Sequence, residues 1–405
     1  MDAEKKTFPQ DLLLQSKEAR FTYFKNKVFG HDRLLDVDDQ LVNAILYPTG
    51  VSLILVYGPT GVGKTTLSSR IEKKILELER EAMLKDPGYL PVVSMEAIAS
   101  SRNYEWREHI TRLLIAAKEP LIDHKVNYEI RKMSMGREQI TSTHRTEAAL
   151  RRSAESCLHH RGTKLVIVDE AQHLRRTGSE RNSHHQMDTI KSLAETTGTI
   201  HVLIGTYELL ELARLSAQLC KRSTYIHFSR YSNHIKDDLD AFASVLQMFQ
   251  EHFPLAQSPD FLSFEDYFYE KTFGCIGVLK TMLNGVLVKA LNSKDEIVTE
   301  EMLEKSAPPL QDLVQMSREI ADGERVLRET DEQLNELRTF LNVVPEADKK
   351  KKVQDKKDTQ AQTQVDSEET QEGREKTATT KPKKDRRPGD RNPKRDTVGG
   401  RKNAN

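Results

Sequence analysis

The stretch Leu53-Ile-Leu-Val-Tyr57 runs directly into Gly58-Pro-Thr-Gly-Val-Gly-Lys-Thr-Thr66. An apolar strand followed by G-x-x-x-x-G-K-T is typical of a phosphate-binding loop, because its backbone N–H groups and the next helix point at the β- and γ-phosphates. Within the loop we assign Lys64 to the phosphate charge and the Thr65 hydroxyl to Mg²⁺. The candidate nucleotide contacts are Gly58, Pro59, Thr60, Gly61, Val62, Gly63, Lys64, Thr65 and Thr66. The stretch therefore predicts a site for a nucleoside triphosphate and magnesium.

Size and composition narrow the class of protein. With 405 residues the chain exceeds one average domain. Its 62 basic and 62 acidic side chains balance, so total charge gives no argument for nucleic acid. The three cysteines, Cys157, Cys220 and Cys275, fit neither a disulfide framework nor a zinc pattern. Because neither an apolar run of about 20 residues nor a secretory signal is present, we expect a cytoplasmic protein without a membrane span.

Apolar runs bounded by turn residues recur with helical patterns between them. They cover residues 52–57, 90–94, 165–168, 201–205 and 224–228. This alternation predicts an α/β fold, with a parallel sheet flanked by helices, over residues 31–230. Only helical patterns follow, and they predict a small helical lid domain at 231–308. Residues 1–30 are expected to form an N-terminal extension.

A seven-residue repeat marks the segment after the lid. Its apolar positions are Leu313, Ile320, Leu327, Leu334 and Leu341. In half of the heptads the second core position lacks a large apolar side chain. Two alternatives therefore stay open at 309–345: a long helix docked on its own chain, or a coiled coil with a partner. Residues 346–405 are polar and charged, which predicts a disordered tail, basic at its end. That tail could bind DNA or an acidic partner, or only increase solubility.

An acidic pair follows the most apolar of the predicted strands. The run at 165–168 contains no polar side chain and is therefore expected to be a buried central strand, followed by Asp169 and Glu170. The carboxyl ends of such strands form the ligand site of open α/β sheets. We predict that Asp169 holds the magnesium and that Glu170 orients and deprotonates the attacking water. The structural alternative is a pair of helix-capping residues.

Three further residues are candidates for the reaction. Thr206 follows a predicted strand, where its hydroxyl could sense the γ-phosphate or position water. Arg222 ends a helical pattern, and in a neighbouring subunit's site it could neutralise developing charge, an effect worth roughly 10³ to 10⁵ in rate. Lys280 begins a helix after two glycines and could reach back to the nucleotide. The simple alternatives are that Thr206 is an ordinary turn residue and that Arg222 and Lys280 are solvated cations. The competitors of Arg222 are Arg214, Lys221 and Arg230.

With these residues in order, the chain resembles the AAA+ ATPases over roughly residues 32–310. Within them it resembles the TniB/TnsC family of transposition regulators. The narrower resemblance rests on Asp169-Glu-Ala-Gln-His-Leu174, Met187-Asp-Thr-Ile-Lys-Ser-Leu193, Gly205-Thr-Tyr-Glu-Leu209 and Gln218-Leu-Cys-Lys-Arg222. Tyr207 stands where the family usually has proline, and Lys280 where it commonly has arginine.

The resemblance implies a target-selection ATPase. Such proteins assemble on double-stranded DNA as homo-oligomeric rings or filaments, recruit transposase subunits, and disassemble as ATP is hydrolysed. A target-selector protein or a guide complex would act upstream. The candidate DNA contacts, with a solvated basic face as the alternative, are Arg102, Arg131, Lys132, Arg137, Arg145, Arg151 and Arg152. Two other functions stay open: a nucleotide-dependent protein-interaction switch without DNA, and a helicase-loader-like ATPase.

Overall fold

The computed structural model describes residues 7–98, 106–132, 138–144, 147–175, 180–210, 223–328 and 331–341. The chain forms two units, Met1–Arg328 and Glu329–Asn405. The central sheet, the lid and every candidate site residue that the structure describes lie in the first unit. The described part of the second unit consists of the helix Asp331–Phe340 and the residue after it.

The first unit contains strands and helices in alternation, followed by helices alone. Its strands are β1 (Leu53–Tyr57), β2 (Val92–Glu96), β3 (Val126–Lys132), β4 (Glu138–His144), β5 (Leu165–Asp169), β6 (Ile200–Gly205) and β7 (Ser223–His227). Its helices are α1 (Lys17–Asn26), α2 (Asp32–Leu46), α3 (Lys64–Leu78), α4 (Arg80–Lys85), α5 (Trp106–Ala116), α6 (Glu147–His160), α7 (Glu180–Thr197), α8 (Lys236–Glu251), α9 (Glu265–Thr272), α10 (Ile276–Asn292), α11 (Glu300–Glu304) and α12 (Leu310–Leu327). Short 3₁₀ helices lie at Gln10–Leu14, Ile122–His124, Ala171–Arg175 and Leu262–Phe264. The helix of the second unit is α13 (Asp331–Phe340).

The central sheet is parallel and has the strand order β2-β5-β6-β1-β7. In β1, Tyr57 is paired with Gly205 of β6 on one side and with His227 of β7 on the other. Because the strands are parallel, the phosphate loop after β1, Asp169 at the end of β5 and Thr206 after β6 reach the same edge of the sheet. The predicted α/β fold class is confirmed, and each predicted strand is present.

Helices cover both faces of this sheet. β1 and β5 are buried along their whole length, as their uninterrupted apolar runs predict. On one face, α5 and α6 contribute apolar side chains such as Leu113 and Leu158. On the other face, α2 and α3 contribute Leu41 and Ile71. Burial of this apolar surface stabilises the fold by roughly 25 cal/mol per Å². The packed sheet therefore holds the strand ends, where the candidate site lies, in defined positions.

A two-stranded antiparallel hairpin, which the sequence did not predict, separates α5 from α6. It consists of β3 and β4, paired from Val126 opposite His144 to Lys132 opposite Glu138. Its residues are mostly polar and show weak alternation, so hydropathy gave little strand signal. Cross-strand pairing, which cannot be read from either segment alone, defines this element.

The lid consists of α8 to α11 and has an aromatic core. The segment predicted as an N-terminal extension is part of this core: the buried ring of Phe24 in α1 lies 5.0 Å from that of Phe253. In the same helix, Arg20 donates to the carboxylate of Glu296 at 2.8 Å. The beginning of the chain is thus held on the lid by apolar burial and by a largely buried ion pair.

The apolar content of the lid raises the question of membrane insertion. Among the described residues no single helix is long and apolar enough to cross a membrane. Only a pair bent by 117°, Leu262–Thr272 with Ile276–Asn292, meets the criteria of length and composition. Apolar side chains of α10, including Leu279 and Leu283, pack inside the lid core.

The heptad segment does not form one helix. α12 ends at Leu327, and Arg328 takes an extended backbone conformation that interrupts the intrahelical hydrogen bonds. The expectation of a continuous long helix over 309–345 is therefore wrong. Two heptad positions of α12, Leu313 and Ile320, are buried within the first unit. For α12 the structure thus shows docking on its own chain. The tail from residue 346 lies outside the described residues.

Candidate nucleotide site

The phosphate loop joins β1 to α3 through a backbone that only glycine adopts without strain. Gly61 and Gly63 have φ values of 78° and 117°, in the left-handed region. A Cβ on Gly58 would lie 2.1 Å from the carbonyl oxygen of Phe228, so this position excludes any side chain. Gly63 directly precedes α3, whose free N–H groups and dipole favour a bound anion. The loop therefore has the geometry that a phosphate cradle requires.

Lys64 is held inside this loop. Its ammonium group donates to the carbonyl oxygens of Gly58 at 3.0 Å and Pro59 at 2.8 Å. Burial lowers its pKa, while Glu319, Glu170 and Asp169 act in the opposite direction through their charges. A bound triphosphate would supply negative charge to this buried cation and would stabilise its protonated form.

The end of β5 supplies oxygen ligands next to the loop. The carboxylate of Asp169 accepts from the backbone N–H of Glu170 at 2.9 Å, and Thr65 lies near enough to influence its pKa. Burial raises the pKa of Asp169 on balance, although the hydrogen bond from the backbone of Glu170 and the Thr65 side chain lower it. A hydroxyl and a carboxylate are hard donors that Mg²⁺ prefers, with phosphate oxygens and water completing its shell. The pair Thr65 and Asp169 therefore fits a magnesium ion, which would also relieve the cost of burying the carboxylate.

Glu170 is tied to the strand beside it through Gln172. The amide nitrogen of Gln172 donates to Oε2 of Glu170 at 2.5 Å, and its amide oxygen accepts from the Thr206 backbone N–H at 3.2 Å. Glu170 has φ = 53°, a conformation that costs a non-glycine residue of order 1 kcal/mol or more and is frequent at functional sites. A Cβ on Gly205 would come within 2.7 Å of the Gln172 amide oxygen. The Gln172 amide thus fits tightly against Gly205, and its hydrogen bond holds the Glu170 carboxylate at the sheet edge.

Gln172 is the site residue that sequence reasoning gave no role. It lies within the motif Asp169-Glu-Ala-Gln-His-Leu174, yet nothing in its spacing indicates a bridge between two strand ends. Its one sequence signal is an amide placed directly after a buried acidic strand end. In the structure Gln172 is buried, and a buried amide must find partners.

Two clefts flank the phosphate loop. The first has a volume of about 280 Å³ and is lined by Phe29, His31, Gly63, Thr66 and Gly277, among others. His31 shares a hydrogen bond of 3.1 Å with the Tyr231 hydroxyl, and burial lowers its pKa to about 4, so the ring is neutral near pH 7. Apolar and aromatic side chains line this cleft together with Lys25, Lys27 and Lys280. The aromatic surface beside the helix start could receive a nucleoside base, with the lysines at its edge.

The second cleft has a volume of about 690 Å³ and lies at the catalytic end of the loop. Thr60, Gln172 and Thr206 line it from the sheet edge, and α12 lines the opposite side with Gln315, Arg318, Glu319 and Asp322. This cleft contains acidic side chains such as Glu319 and Asp322, whereas the charged residues that line the first cleft are lysines. We interpret the first cleft, at Gly63 and Thr66, as the candidate base end and the second, at Thr60, as the candidate terminal-phosphate end.

Lys280 lies in the lid but is engaged elsewhere. Its ammonium group lies 3.6 Å from the ring centroid of Phe24 and donates to the Phe24 carbonyl oxygen. Burial lowers its pKa to about 7. Lys280 lines the base-end cleft, but its charged end is held by the aromatic cluster and not by a phosphate-binding group. Its predicted reach toward the phosphates would require the side chain to move and stays a prediction.

The remaining predicted residues fall into two groups. Arg222 and its competitors Arg214 and Lys221 lie outside the described residues, as do Arg102, Arg137 and Arg145. Of the others, Arg131 and Lys132 end strand β3, and Arg152 lies on α6. Arg151 donates to Glu155 at 3.0 Å and to Ser192 at 2.9 Å. Arg230 pairs with Glu324 at 2.7 Å within its own chain, so it is not a free arginine finger in this structure.

Comparison with known proteins agrees with this site. The family described as AAA domain matches residues 49–213, which contain the phosphate loop, Asp169, Glu170 and Thr206. The match covers β1, β2, β5 and β6 of the described sheet and the phosphate loop and agrees with the α/β fold of the structure. It supports nucleotide binding and the general class of ATPase for this segment. No curated protein matches the sequence.

Several solved structures are similar to this chain at low sequence identity. The Aeropyrum pernix ORC2 protein in ADPNP–ADP complexes has 13% identity and a TM-score of 0.45, with 70% of each chain covered. The ORC1 protein of the same organism in complex with DNA has 17% identity and a TM-score of 0.45, over 75% of this chain and 70% of that one. Domain III of the Thermotoga maritima replication initiation protein DnaA has 13% identity and a TM-score of 0.38, over 73% and 95%.

Proposed function

We propose that this protein is an ATP-dependent, DNA-binding regulator of DNA transposition, which oligomerises on double-stranded DNA, selects the target and recruits a transposase. The observation that carries the enzymatic part is the Glu170–Gln172–Thr206 connection beside the phosphate loop. The Glu170 carboxylate is held by a second strand through Gln172, and Gln172 and Thr206 line the second cleft. This arrangement supports a role of Glu170 as the base.

In ATP hydrolysis, different residues of this chain would have different roles. The loop N–H groups and Lys64 bind the phosphates, and Thr65 with Asp169 holds the magnesium, which would neutralise charge on the phosphate oxygens. Glu170 orients a water molecule and accepts its proton. Gln172 holds Glu170 in position relative to Thr206. The Thr206 hydroxyl would be available to the γ-phosphate or to the water. Arg222 of a neighbouring subunit would complete the site, so turnover would depend on assembly.

DNA would be held by the hairpin β3–β4 and the residues around it. Support comes from Arg131 and Lys132 at the end of β3, with serine, threonine and histidine interleaved in β4. Such side chains bind backbone phosphates and read little sequence. In this proposal Arg151, already bonded to Glu155 and Ser192, would contribute less than the hairpin. Transposase subunits and an upstream target selector are the partners that the family resemblance implies.

Electron microscopy of the purified protein with a non-hydrolysable ATP analogue, with and without duplex DNA, tests the proposal. Rings or filaments that require both ligands are expected. Co-sedimentation with duplex DNA at increasing salt provides the control, because phosphate contacts weaken steeply with salt. Particles that bind nucleotide and remain unchanged by DNA would contradict the transposition proposal and favour a nucleotide-dependent protein-interaction switch.

A further inference from the structure

Helix α12 closes the terminal-phosphate end of the candidate nucleotide site. Its residue Glu319 lies directly on the phosphate loop. One carboxylate oxygen accepts from the Thr60 backbone N–H at 3.1 Å and from the Thr60 hydroxyl at 2.9 Å, and the other oxygen lies 2.9 Å from the same hydroxyl. A protein carboxylate thus binds an N–H group of the loop that is built to bind phosphate oxygens.

Two neighbouring contacts hold the helix in this place. Glu324, five residues after Glu319 on the same helix, accepts from Arg230 at 2.7 Å and 3.2 Å. The backbone of Gly323 lies against the ring of Tyr207, where a Cβ would come within 2.0 Å of a ring carbon. The Tyr207 side chain is itself buried. Because α12 is anchored by a bidentate ion pair and by a position that accepts only glycine, Glu319 reaches Thr60 from a defined helix register.

Charge makes this contact compete with a bound triphosphate. Among the acidic side chains that act on Lys64, Glu319 has the largest effect, ahead of Glu170 and Asp169. In the present state Glu319 thus supplies part of the negative charge that phosphates would otherwise bring. A triphosphate at the loop would meet a like charge at Thr60 and would compete for the same cation and N–H group.

We propose that α12 is an intramolecular latch in which Glu319 occupies the terminal-phosphate end of the loop, so that ATP binds only when this carboxylate leaves Thr60. The inference rests on the proposed ATP binding and adds its regulation. ATP would loosen α12, the last helix of the first unit, and thereby connect the nucleotide state to the segment that continues into the C-terminal unit. ADP lacks the γ-phosphate and would displace the latch less.

The test uses the full-length protein and a fluorescent ATP analogue, with ADP for comparison. The variant Glu319→Gln keeps size and hydrogen-bonding capacity but removes the charge. Asp312→Asn is the matched control, because Asp312 is an exposed carboxylate on the same helix. We expect Glu319→Gln to bind the ATP analogue about tenfold more tightly, the scale of one like-charge interaction. The gain should be smaller for ADP, and Asp312→Asn should match the wild type.

Hydrogen exchange gives a second readout that does not depend on affinity. ATP should speed exchange of the backbone amides of α12 in the wild type, whereas in Glu319→Gln exchange should already be faster without nucleotide. Glu324→Gln should shift both readouts in the same direction as Glu319→Gln, by a smaller amount.

The outcomes separate the latch from the proposed ATP binding. Equal or weaker ATP binding by Glu319→Gln, beside a wild type that binds, would overturn the latch and leave the nucleotide site intact. Binding by Glu319→Gln alone would establish the latch in its strongest form. Absence of binding in all three proteins would overturn both ideas, because an opened site should then accept nucleotide.

Discussion

The two ends of the candidate nucleotide site are built in different ways. The candidate base end is lined by the neutral His31, by aromatic rings such as Phe29, by backbone at Gly63 and Gly277, and by three lysines but no acidic residue. The terminal-phosphate end concentrates charges and hydrogen bonds. The rings of Phe29 and Phe249, with centroids 4.5 Å apart, pack at the first end. The second end is held by polar contacts that an incoming phosphate can replace, and it is therefore the end where chemistry and regulation can act.

The largest expected effect is on the rate of ATP hydrolysis, from a change at the terminal-phosphate end that leaves the base end unaltered. Glu170→Gln should lower the rate of ATP hydrolysis by roughly 10² to 10⁴, because the amide cannot accept the proton of water. Affinity for ATP should remain near that of the wild type. Single-turnover hydrolysis beside a fluorescent-nucleotide titration measures both quantities. The exposed Glu77→Gln is the control, and near-normal turnover of Glu170→Gln would show that the base lies elsewhere.

The next effect removes the buried cation of the phosphate loop, Lys64. Lys64→Ala should weaken ATP binding by roughly 100-fold, the scale of a charged hydrogen bond lost in a buried site. Isothermal titration gives the dissociation constant. Lys73→Ala changes an exposed lysine on the same helix and should have no effect. Unchanged affinity in Lys64→Ala would contradict the assignment of the loop.

A smaller effect sharpens the role of Gln172. Gln172→Ala should reduce kcat by about tenfold with little change in KM, because it frees Glu170 without removing a phosphate contact. Gln172→Glu keeps the shape but places a second carboxylate against Glu170, and it should be at least as slow. Steady-state kinetics of the two variants tests this. A change confined to KM would mean that Gln172 acts in binding.

The smallest effect concerns the lid at the base end. Burial lowers the pKa of Lys280 to about 7, against 10.5 for an unburied lysine. The unfolded chain therefore binds more protons than the folded chain between these values, so the lysine's contribution to stability should rise with pH from about 7 to about 10.5. Urea unfolding at pH 6 and pH 9 should show a larger gain for the wild type than for Lys280→Met. Lys294→Met, an exposed change, should retain the wild-type gain.

Local sequence was sufficient for the sheet and for the phosphate loop. Each predicted strand is present. The continuous apolar runs of β1 and β5 suit central strands in a sheet covered on both faces. The loop was predictable because its glycines and lysine are contiguous, and φ values of 78° and 117° at Gly61 and Gly63 bear out the need for glycine. The roles of Glu170, Thr206 and Arg222 stay predictions.

Contacts between distant segments were not predictable in the same way. The hairpin β3–β4 is defined by pairing of polar strands, and the ammonium of Lys280 is bound by Phe24 of α1, remote in sequence. The heptad repeat indicated a helix but not its end at Leu327 or the surface on which it docks.

The sequence by itself determined the α/β fold class, the phosphate loop and the acidic end of β5, because these depend on neighbouring residues and on hydropathy. Only the tertiary structure decided that Gln172 joins Glu170 to Thr206 and that Glu319 reaches Thr60. Both contacts are polar and join segments separated along the chain. They form only because packing of the sheet, the lid and α12 fixes the distance and direction of each side chain.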